Sequence, residues 1–405
     1  MLDAESLRRD FPILHQSVNG KPLVYLDNAA TTQKPLAVLD ASRRYYEEIN
    51  ANIHRGAHTL ARLATEAYEA ARQTVANHLH ADSPDEVIFT SGCTDSINLV
   101  AISLGRSGLI RKGDVVLIST LEHHSNIVPW QMLCELTGAT LEIIPCHEDG
   151  SLDQAAYSQL LEKNPKLVAF TWISNAFGTV NPVIEMTARA KAAGALVLID
   201  AAQATPHLAI DVQALRADFL SFSGHKVYAP TGIGVLWGKR EVLEAIPPYR
   251  GGGEMIKEVT FAKTTYNDLP FKFEAGTPNI EGTIALGAAL DYVNAIGIES
   301  IHAHETRLMR AAEQALSSLP GMRFYGPTER AGALSFSIEG VHHYDLGTLL
   351  DQMGIAVRTG HHCCQPLMAR FGMTGTTRAS FALYNTMADV EALATATHKA
   401  AAMLR

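Results

Sequence analysis

The stretch ALVLID, from Ala195 to Asp200, is an unbroken run of apolar residues that ends in a carboxylate. Such a run is typical of a strand that is buried on both faces of a sheet. Six further stretches of similar character predict strands at Glu86–Thr90, Asp114–Thr120, Leu141–Pro145, Lys166–Ser174, Asp218–Ser223 and Gly232–Gly238. Segments with helical spacing lie between several of them, which predicts a mainly parallel sheet covered by helices.

The pattern changes after about Pro278, where long helical segments lead into short strands and a final helix. We therefore predict the α/β fold class with two domains. The large domain, residues 21–284, would hold a mainly parallel seven-stranded sheet, and a smaller α+β domain would combine residues 1–20 with residues 285–405. The segment Tyr249–Asn279 is rich in glycine and turn residues, so we expect it to be irregular and functional.

Composition and charge exclude several classes of protein. The chain has 405 residues, and its net charge of -9 argues against a nucleic-acid surface. Five cysteines without a CxxC pair indicate free thiols in a reducing compartment. The N-terminus lacks the apolar core of a signal peptide, and the apolar runs are too short to span a membrane. We expect a cytoplasmic protein with no membrane partner.

The stretch SFSGHK, Ser221 to Lys226, places a lysine just after an apolar strand. A lone lysine there usually points into solvent. Asp200, however, ends a neighbouring predicted strand, and ligands of open α/β sheets bind beyond the carboxyl ends of strands. A Schiff-base lysine together with an aspartate for a protonated ring nitrogen is what pyridoxal phosphate requires.

Two further segments support this interpretation without proving it. TSGCTDSINLVA, Thr90 to Ala101, runs from a strand into a helix, and a helix N-terminus with free N–H groups can bind phosphate. Thr94 is the hydroxyl that we place on the phosphate, although simple N-capping would give the same pattern. His123 follows another strand, where an imidazole can stack on a ring and move protons, or simply lie on the surface.

The stretch RTGHHCCQP, Arg358 to Pro366, joins two histidines to two cysteines. Adjacent residues rarely aim at one metal, and no second ligand pair has zinc-like spacing, so we expect no metal site. A disulfide between neighbouring cysteines would be strained, and buried packing is the simplest alternative. A nucleophilic thiol fits best, since cationic neighbours favour the reactive thiolate.

Taken together, many motifs resemble those of one family, in order and spacing along essentially the whole chain. They are YLDNAATTQKP, HRGAHTLA, LEHHSNIVPWQML, ISNAFGTVNP, IDAAQA, SFSGHKVYAPTGIGVL, FEAGTPN, VRTGHHC and RASFALYNT. The family is that of the group II cysteine desulfurases, of the SufS and selenocysteine lyase type. These are class V aminotransferase-like enzymes of fold-type I that use pyridoxal phosphate.

The resemblance implies an activity, partners and an alternative. The family converts L-cysteine to L-alanine, keeps the sulfur as a persulfide on an enzyme cysteine, and passes it to an acceptor for iron–sulfur cluster assembly. It implies a homodimer, a SufE- or SufU-like sulfur acceptor and an iron–sulfur scaffold as partners. Selenocysteine lyase activity on L-selenocysteine is the nearest alternative, and another class V reaction is further off.

The resemblance also implies roles for individual residues. Lys226, Cys363 and His123 would be catalytic, and Asn175, Arg358 and Arg378 would bind the substrate. The cofactor-binding residues would be Lys226, Asp200, Gln203, His123, Thr94, Ser223, His225 and Thr277, of which Thr277 is expected to reach the phosphate of the partner subunit.

Two cysteines depart from the pattern that the resemblance implies. Cys364, beside the expected nucleophile, would accept sulfur from Cys363, form a disulfide under oxidation, or point into the protein. Cys93 stands where a hydroxyl residue is more usual, and since a thiol is a poor donor we interpret it as a packing residue.

Overall fold

The computed structural model describes residues 2–405 and shows a chain rich in both helices and strands. The helices are α1 (Ala4–Arg8), α2 (Leu36–Arg44), α3 (Thr59–Leu79), α4 (Cys93–Ser107), α5 (Val128–Thr137), α6 (Gln154–Leu161), α7 (Val183–Ala192), α8 (Val212–Leu215), α9 (Arg240–Ala245), α10 (Ile280–Ile296), α11 (Ile298–Ser317), α12 (His343–Gln352), α13 (Gln365–Arg370) and α14 (Met387–Leu404). The strands are β1 (Ser17–Val18), β2 (Lys21–Pro22), β3 (Val24–Tyr25), β4 (Val87–Thr90), β5 (Val115–Ser119), β6 (Thr140–Ile144), β7 (Leu167–Thr171), β8 (Leu196–Asp200), β9 (Phe219–Ser223), β10 (Gly234–Gly238), β11 (Ile256–Val259), β12 (Thr264–Tyr266), β13 (Met322–Tyr325), β14 (Leu334–Ile338), β15 (Ile355–Ala356), β16 (Arg358–Gly360) and β17 (Thr376–Ala379).

A seven-stranded sheet forms the centre of the molecule, in the order β4-β10-β9-β8-β7-β5-β6. Strand β10 is antiparallel to both of its neighbours, and the other neighbouring pairs are parallel. The sheet consists of the seven strands predicted from apolar runs, each found within a few residues of its predicted bounds. The predicted α/β class with a mainly parallel sheet is confirmed.

Both faces of this sheet are buried, as the continuous apolar runs predict. In β7, Val168 and Phe170 pack into a core shared with α3, α7 and α10. Leu167 and Ala169 face the opposite way, into a second core shared with α4 and α5. Successive side chains of a strand point to opposite faces, so only a run apolar at every position can fill both cores.

A smaller antiparallel sheet, β13-β14-β17-β16, lies against α11, α12 and α14. The N-terminal part of the chain joins this region, since β3 pairs in parallel with β15 and Asp27 bridges to Ser380. Strands β16 and β17 place Arg358 directly opposite Arg378. Residues directly opposite across two strands are close enough to act together.

The helices α10 and α11 join the two sheets. Helix α10 crosses the predicted domain boundary at residue 284 and packs against α2 and α3, so the division of the chain stays a prediction. Within residues 2–405, no single helix is long and apolar enough to cross a membrane. Only α10 and α11 together reach that length and hydropathy, and they bend by 77° where they meet.

The expectation of an irregular segment at Tyr249–Asn279 is wrong in part, because β11 and β12 form an antiparallel hairpin there. Phe261 at its tip is fully exposed. These strands are short, and most of their residues are exposed, so they lack the apolar runs that predicted the central strands.

Candidate active site

A cavity of about 340 Å³ opens at the carboxyl ends of the parallel strands. This volume lies in the range of small-molecule binding sites. It brings together every predicted site residue except Thr277: Thr94, His123, Asn175, Asp200, Gln203, Ser223, His225, Lys226, Arg358, Cys363 and Arg378. Residues from the central sheet and from the smaller sheet thus face one another across it.

Lys226 ends a short 3-10 turn that follows β9. Residues from outside the turn hold the backbone of the turn by hydrogen bonds. The carbonyl oxygen of the preceding residue, His225, accepts hydrogen bonds from Thr32 N at 3.0 Å, Thr31 Oγ1 at 3.1 Å and Lys34 Nζ at 3.2 Å. Burial lowers the pKa of Lys226, and the nearby Asp200 carboxylate only partly opposes that shift. The turn therefore presents an amine that is more often neutral than an exposed lysine is.

Asp200 ends β8 and is fully buried. Its Oδ1 accepts hydrogen bonds from Ala202 N at 2.9 Å and from the Cys93 thiol at 3.4 Å. Burial raises the pKa of Asp200, while Lys226 acts in the opposite direction. Cys93 is buried as predicted, but its thiol also lies 3.2 Å from Ser221 Oγ. Its interpretation as a packing residue alone is therefore incomplete.

The N-terminus of α4 forms one end of the cavity. Its N-cap residue, Gly92, has no side chain that could accept hydrogen bonds from the first backbone N–H groups of the helix. Cys93 N donates to Ser223 Oγ at 2.8 Å. Thr94, in the first turn, lines the cavity together with His225. Burial, with the nearby Lys226, lowers the pKa of His225 to about 4, so its imidazole is neutral near pH 7. Backbone N–H groups, hydroxyls and a helix N-terminus make this end suitable for a phosphate.

His123 lies between β5 and α5 and lines the cavity. Its Nδ1 accepts a hydrogen bond from Ser125 N at 3.1 Å. Burial lowers the pKa of His123 to about 3, and the nearby Lys226 acts in the same direction. The ring is therefore neutral and carries its hydrogen on Nε2.

Two arginines from the smaller sheet share one carboxylate that the sequence interpretation missed. Asp27 accepts hydrogen bonds from Arg358 Nε at 3.0 Å and Nη2 at 2.8 Å, and from Arg378 Nη2 at 3.4 Å. Arg378 is buried, and within residues 2–405 its Nε has no hydrogen-bond partner. A substrate carboxylate could satisfy that group. Asp27 stands in the quoted motif YLDNAATTQKP, but nothing in its local sequence indicates a partner 331 residues away.

In the loop after β16, the two adjacent cysteines differ in their exposure to solvent. Cys363 is exposed and lines the cavity, whereas Cys364 is fully buried. The Cys364 thiol donates to Asn175 Oδ1 at 3.2 Å, and Asn175 Nδ2 donates to His362 O at 2.7 Å. Of the three roles considered for Cys364, the one in which it points into the protein is confirmed. The Asn175 amide thus uses both its nitrogen and its oxygen to hold the loop.

Thr277 does not line the cavity. It lines a separate hollow of about 120 Å³ with Ser91, Arg250 and other residues of the same region. Its segment is anchored by Glu274, which binds the buried Arg72 through both carboxylate oxygens, at 2.7 and 2.9 Å. Its expected contact with the partner subunit stays a prediction.

The donor set fits pyridoxal phosphate. An amine for the aldehyde, a carboxylate for the ring nitrogen and a helix N-terminus for the phosphate are the groups that this cofactor needs. Lys226, Asp200 and Thr94 supply them on the same cavity. Gln203, whose Nε2 donates to Ala29 O at 2.7 Å, keeps a second N–H for the ring oxygen.

The chain is similar to known proteins over nearly its whole length. A family model for aminotransferase class-V matches residues 24–393. A cysteine desulfurase of Dickeya dadantii is 52% identical over 98% of this chain and 96% of its own length. The apo structure of a cysteine desulfurase from Thermococcus onnurineus NA1 superposes with a TM-score of 0.93 at 37% identity, covering 98% of both chains. An Escherichia coli cysteine desulfurase in an S-sulfonic acid form gives 0.92 at 40% identity and covers both chains fully.

Proposed function

The chain belongs to the aminotransferase class-V family, and on that premise we propose that it is a pyridoxal phosphate-dependent cysteine desulfurase. It converts L-cysteine to L-alanine and holds the sulfur as a persulfide on Cys363. One observation carries this proposal: the half-buried Lys226, with its amine, and the exposed Cys363, with its thiol, line the same cavity. When an amine and a thiol face one substrate, the amine can remove a proton from carbon and the thiol can then accept the sulfur.

Lys226 would hold the cofactor through its amine and Asp200 would pair with the ring nitrogen. When bound, pyridoxal phosphate withdraws electrons from the substrate carbon next to the amino group, which makes that carbon acidic. Because burial lowers its pKa, Lys226 Nζ is available as the base that removes this proton. The neutral His123 carries its N–H at Nε2, on the cavity wall, where it can donate a hydrogen bond to the bound substrate or cofactor.

Cys363 supplies the sulfur-accepting thiolate. Its Sγ forms a bond to the substrate sulfur as the substrate Cβ–S bond breaks. The carbon retains the electron pair, takes a proton and becomes the methyl group of alanine, so carbon is reduced while sulfur is oxidised. The sum is L-cysteine plus a protein thiol giving L-alanine plus a protein persulfide, which balances without a further reductant.

Steady-state assays test the function directly. Protein loaded with pyridoxal phosphate should release alanine from L-cysteine, and sulfide when a thiol reductant is present. A loaded protein that binds the cofactor but releases no alanine would overturn the proposal. Assays with L-selenocysteine test the alternative selenocysteine lyase activity, which uses the same residues and stays a prediction.

Replacing Arg378 by lysine should mainly weaken substrate binding. The lysine keeps a positive charge but loses the guanidinium fork, which can bind a carboxylate through two parallel hydrogen bonds. A charge-assisted hydrogen bond is worth roughly 1.5–3 kcal/mol, so we expect KM for L-cysteine to rise about tenfold or more. Arg370→Lys, at an exposed arginine on the end of α13, is the matched control. An unchanged KM in Arg378→Lys would show that the carboxylate binds elsewhere.

We propose a homodimer in which Thr277 of one subunit contacts the phosphate in the site of the other. The position of Thr277 outside its own cavity supports this arrangement. Thr277→Ala should weaken cofactor binding about tenfold, the loss expected for one hydrogen bond to a charged group.

Mixed dimers separate the two possible arrangements. A dimer of one Thr277→Ala chain and one Lys226→Ala chain should contain one intact site, because each chain supplies what the other lacks. That site should therefore bind the cofactor with the same affinity as a site of the unmodified dimer. Weak binding in the mixed dimer would place Thr277 in its own subunit's site instead.

The persulfide would pass to a protein acceptor of the SufE or SufU kind and from there to an iron–sulfur scaffold. The exposure of Cys363 at the mouth of the cavity supports transfer to a partner. The free cysteines support a reducing compartment, for which we propose the cytoplasm. Acceptor-stimulated alanine release, compared with release stimulated by a small thiol, tests the transfer step.

A further inference from the structure

The loop that carries Cys363 has an unusual backbone. His362 and Cys363 adopt φ angles of +52° and +57°, in the left-handed region that side chains other than glycine rarely occupy. Two such residues in succession persist only where the surrounding structure holds them in place. The contacts that hold this loop therefore determine where the Cys363 thiol lies.

His124 contacts the loop at two points, one on each side of Cys364. Its backbone N–H donates to Cys363 O at 2.8 Å, and its imidazole Nε2 accepts a hydrogen bond from Gln365 N at 3.2 Å. Asn175 also holds the loop, since its Nδ2 donates to His362 O and its Oδ1 accepts from the Cys364 thiol. The His362 ring lies 2.8 Å from Thr376 Oγ1, through Nε2. His124 is thus the side chain that joins the segment following β5 to the start of α13.

The imidazole must be neutral at Nε2 to accept the Gln365 hydrogen bond. Partial burial and the neighbouring His361 ring lower the pKa of His124, so the neutral form dominates near pH 7. The adjacent His123 has a different function, because it lines the cavity whereas His124 does not.

We propose that His124 is a positioning residue, which clamps the cysteine loop so that the Cys363 thiol faces the substrate. The inference rests on the proposed function, in which Cys363 is the nucleophile. Reacting atoms must lie within about 3–3.5 Å of each other in the reactive geometry, and a misplacement of about 1 Å can lower a rate about 100-fold. A clamp that fixes the loop before the substrate arrives should therefore act on kcat rather than on KM.

His124→Leu and His124→Gln form the test pair. Leucine removes the acceptor at similar bulk, whereas the glutamine Oε1 can take the place of Nε2. We expect kcat for alanine release to fall roughly 10- to 100-fold in His124→Leu. KM and the absorbance of the bound cofactor should stay unchanged, and His124→Gln should recover most of kcat. His147→Leu, at an exposed histidine elsewhere, is the matched control.

Amide hydrogen exchange without substrate gives a second readout that does not depend on turnover. The Gln365 amide should exchange about fivefold faster in His124→Leu than in the unmodified protein, as expected for the loss of one ordinary hydrogen bond. Should the leucine variant not fold, His124→Ala removes the same acceptor without adding bulk.

Different results would contradict the His124 clamp and the proposed desulfurase function. Unchanged exchange and unchanged kcat in the leucine variant, or a glutamine variant as slow as the leucine variant, would overturn the clamp. Absence of alanine release from the unmodified protein would overturn the proposed function, while the exchange data would still report on the clamp.

Discussion

Lys226→Ala should abolish the release of alanine from L-cysteine. The substitution removes both the amine that holds the cofactor and the base that removes the substrate proton. Proton transfer by a positioned group alone contributes about 10²–10⁴-fold, so we expect the rate to fall by roughly 10³-fold or more. The measurement is steady-state alanine formation at saturating pyridoxal phosphate.

A covalent readout accompanies this assay. Borohydride should fix the cofactor to the Lys226 peptide of the unmodified protein and leave that peptide unlabelled in the variant. Lys166→Ala, at an exposed lysine before β7, should keep both the label and the activity. Alanine release that survives in Lys226→Ala would show that a different lysine serves the reaction.

Cys363→Ser should stop persulfide formation while the cofactor remains bound. A serine hydroxyl cannot accept sulfur in this way, and Cys363 lies outside the groups that would hold the cofactor. We expect alanine release to fall by roughly 10²-fold or more, since a near-attack nucleophile is lost. Mass analysis of the Cys363 peptide after incubation with L-cysteine checks the persulfide.

Cys364→Ser is the matched comparison and should have a small effect. Burial raises the pKa of Cys364 from the usual thiol value of 9.0 to about 12, so this thiol is protonated near neutral pH. Its hydroxyl replacement can still donate to Asn175. Iodoacetamide at pH 8 should label Cys363 in the native protein and leave Cys364 unlabelled. Loss of the persulfide in Cys364→Ser with retention in Cys363→Ser would reverse the assignment.

The central sheet could be predicted because its strands are buried on both faces. Runs such as Ala195–Ile199 are apolar at every position, a pattern that few other structures require. The hairpin β11–β12 could not be predicted, because its short strands are largely exposed and carry no such signal.

The residues of the site were predictable where they stand at strand ends or in motifs. Lys226 and Asp200 follow directly from their strands, and the cavity contains both. Asp27 and His124 were missed because each acts through a contact distant in sequence, Asp27 with Arg358 and His124 with Gln365. Only the folded chain shows that these pairs meet.

The role of Cys363 as sulfur acceptor is tested most directly by a single turnover of cofactor-loaded protein with substoichiometric L-cysteine, without a reductant or an acceptor. Each alanine formed should be matched by one sulfur atom added to the peptide that contains Cys363. Alanine formed without sulfur on that residue would show that Cys363 does not accept the sulfur.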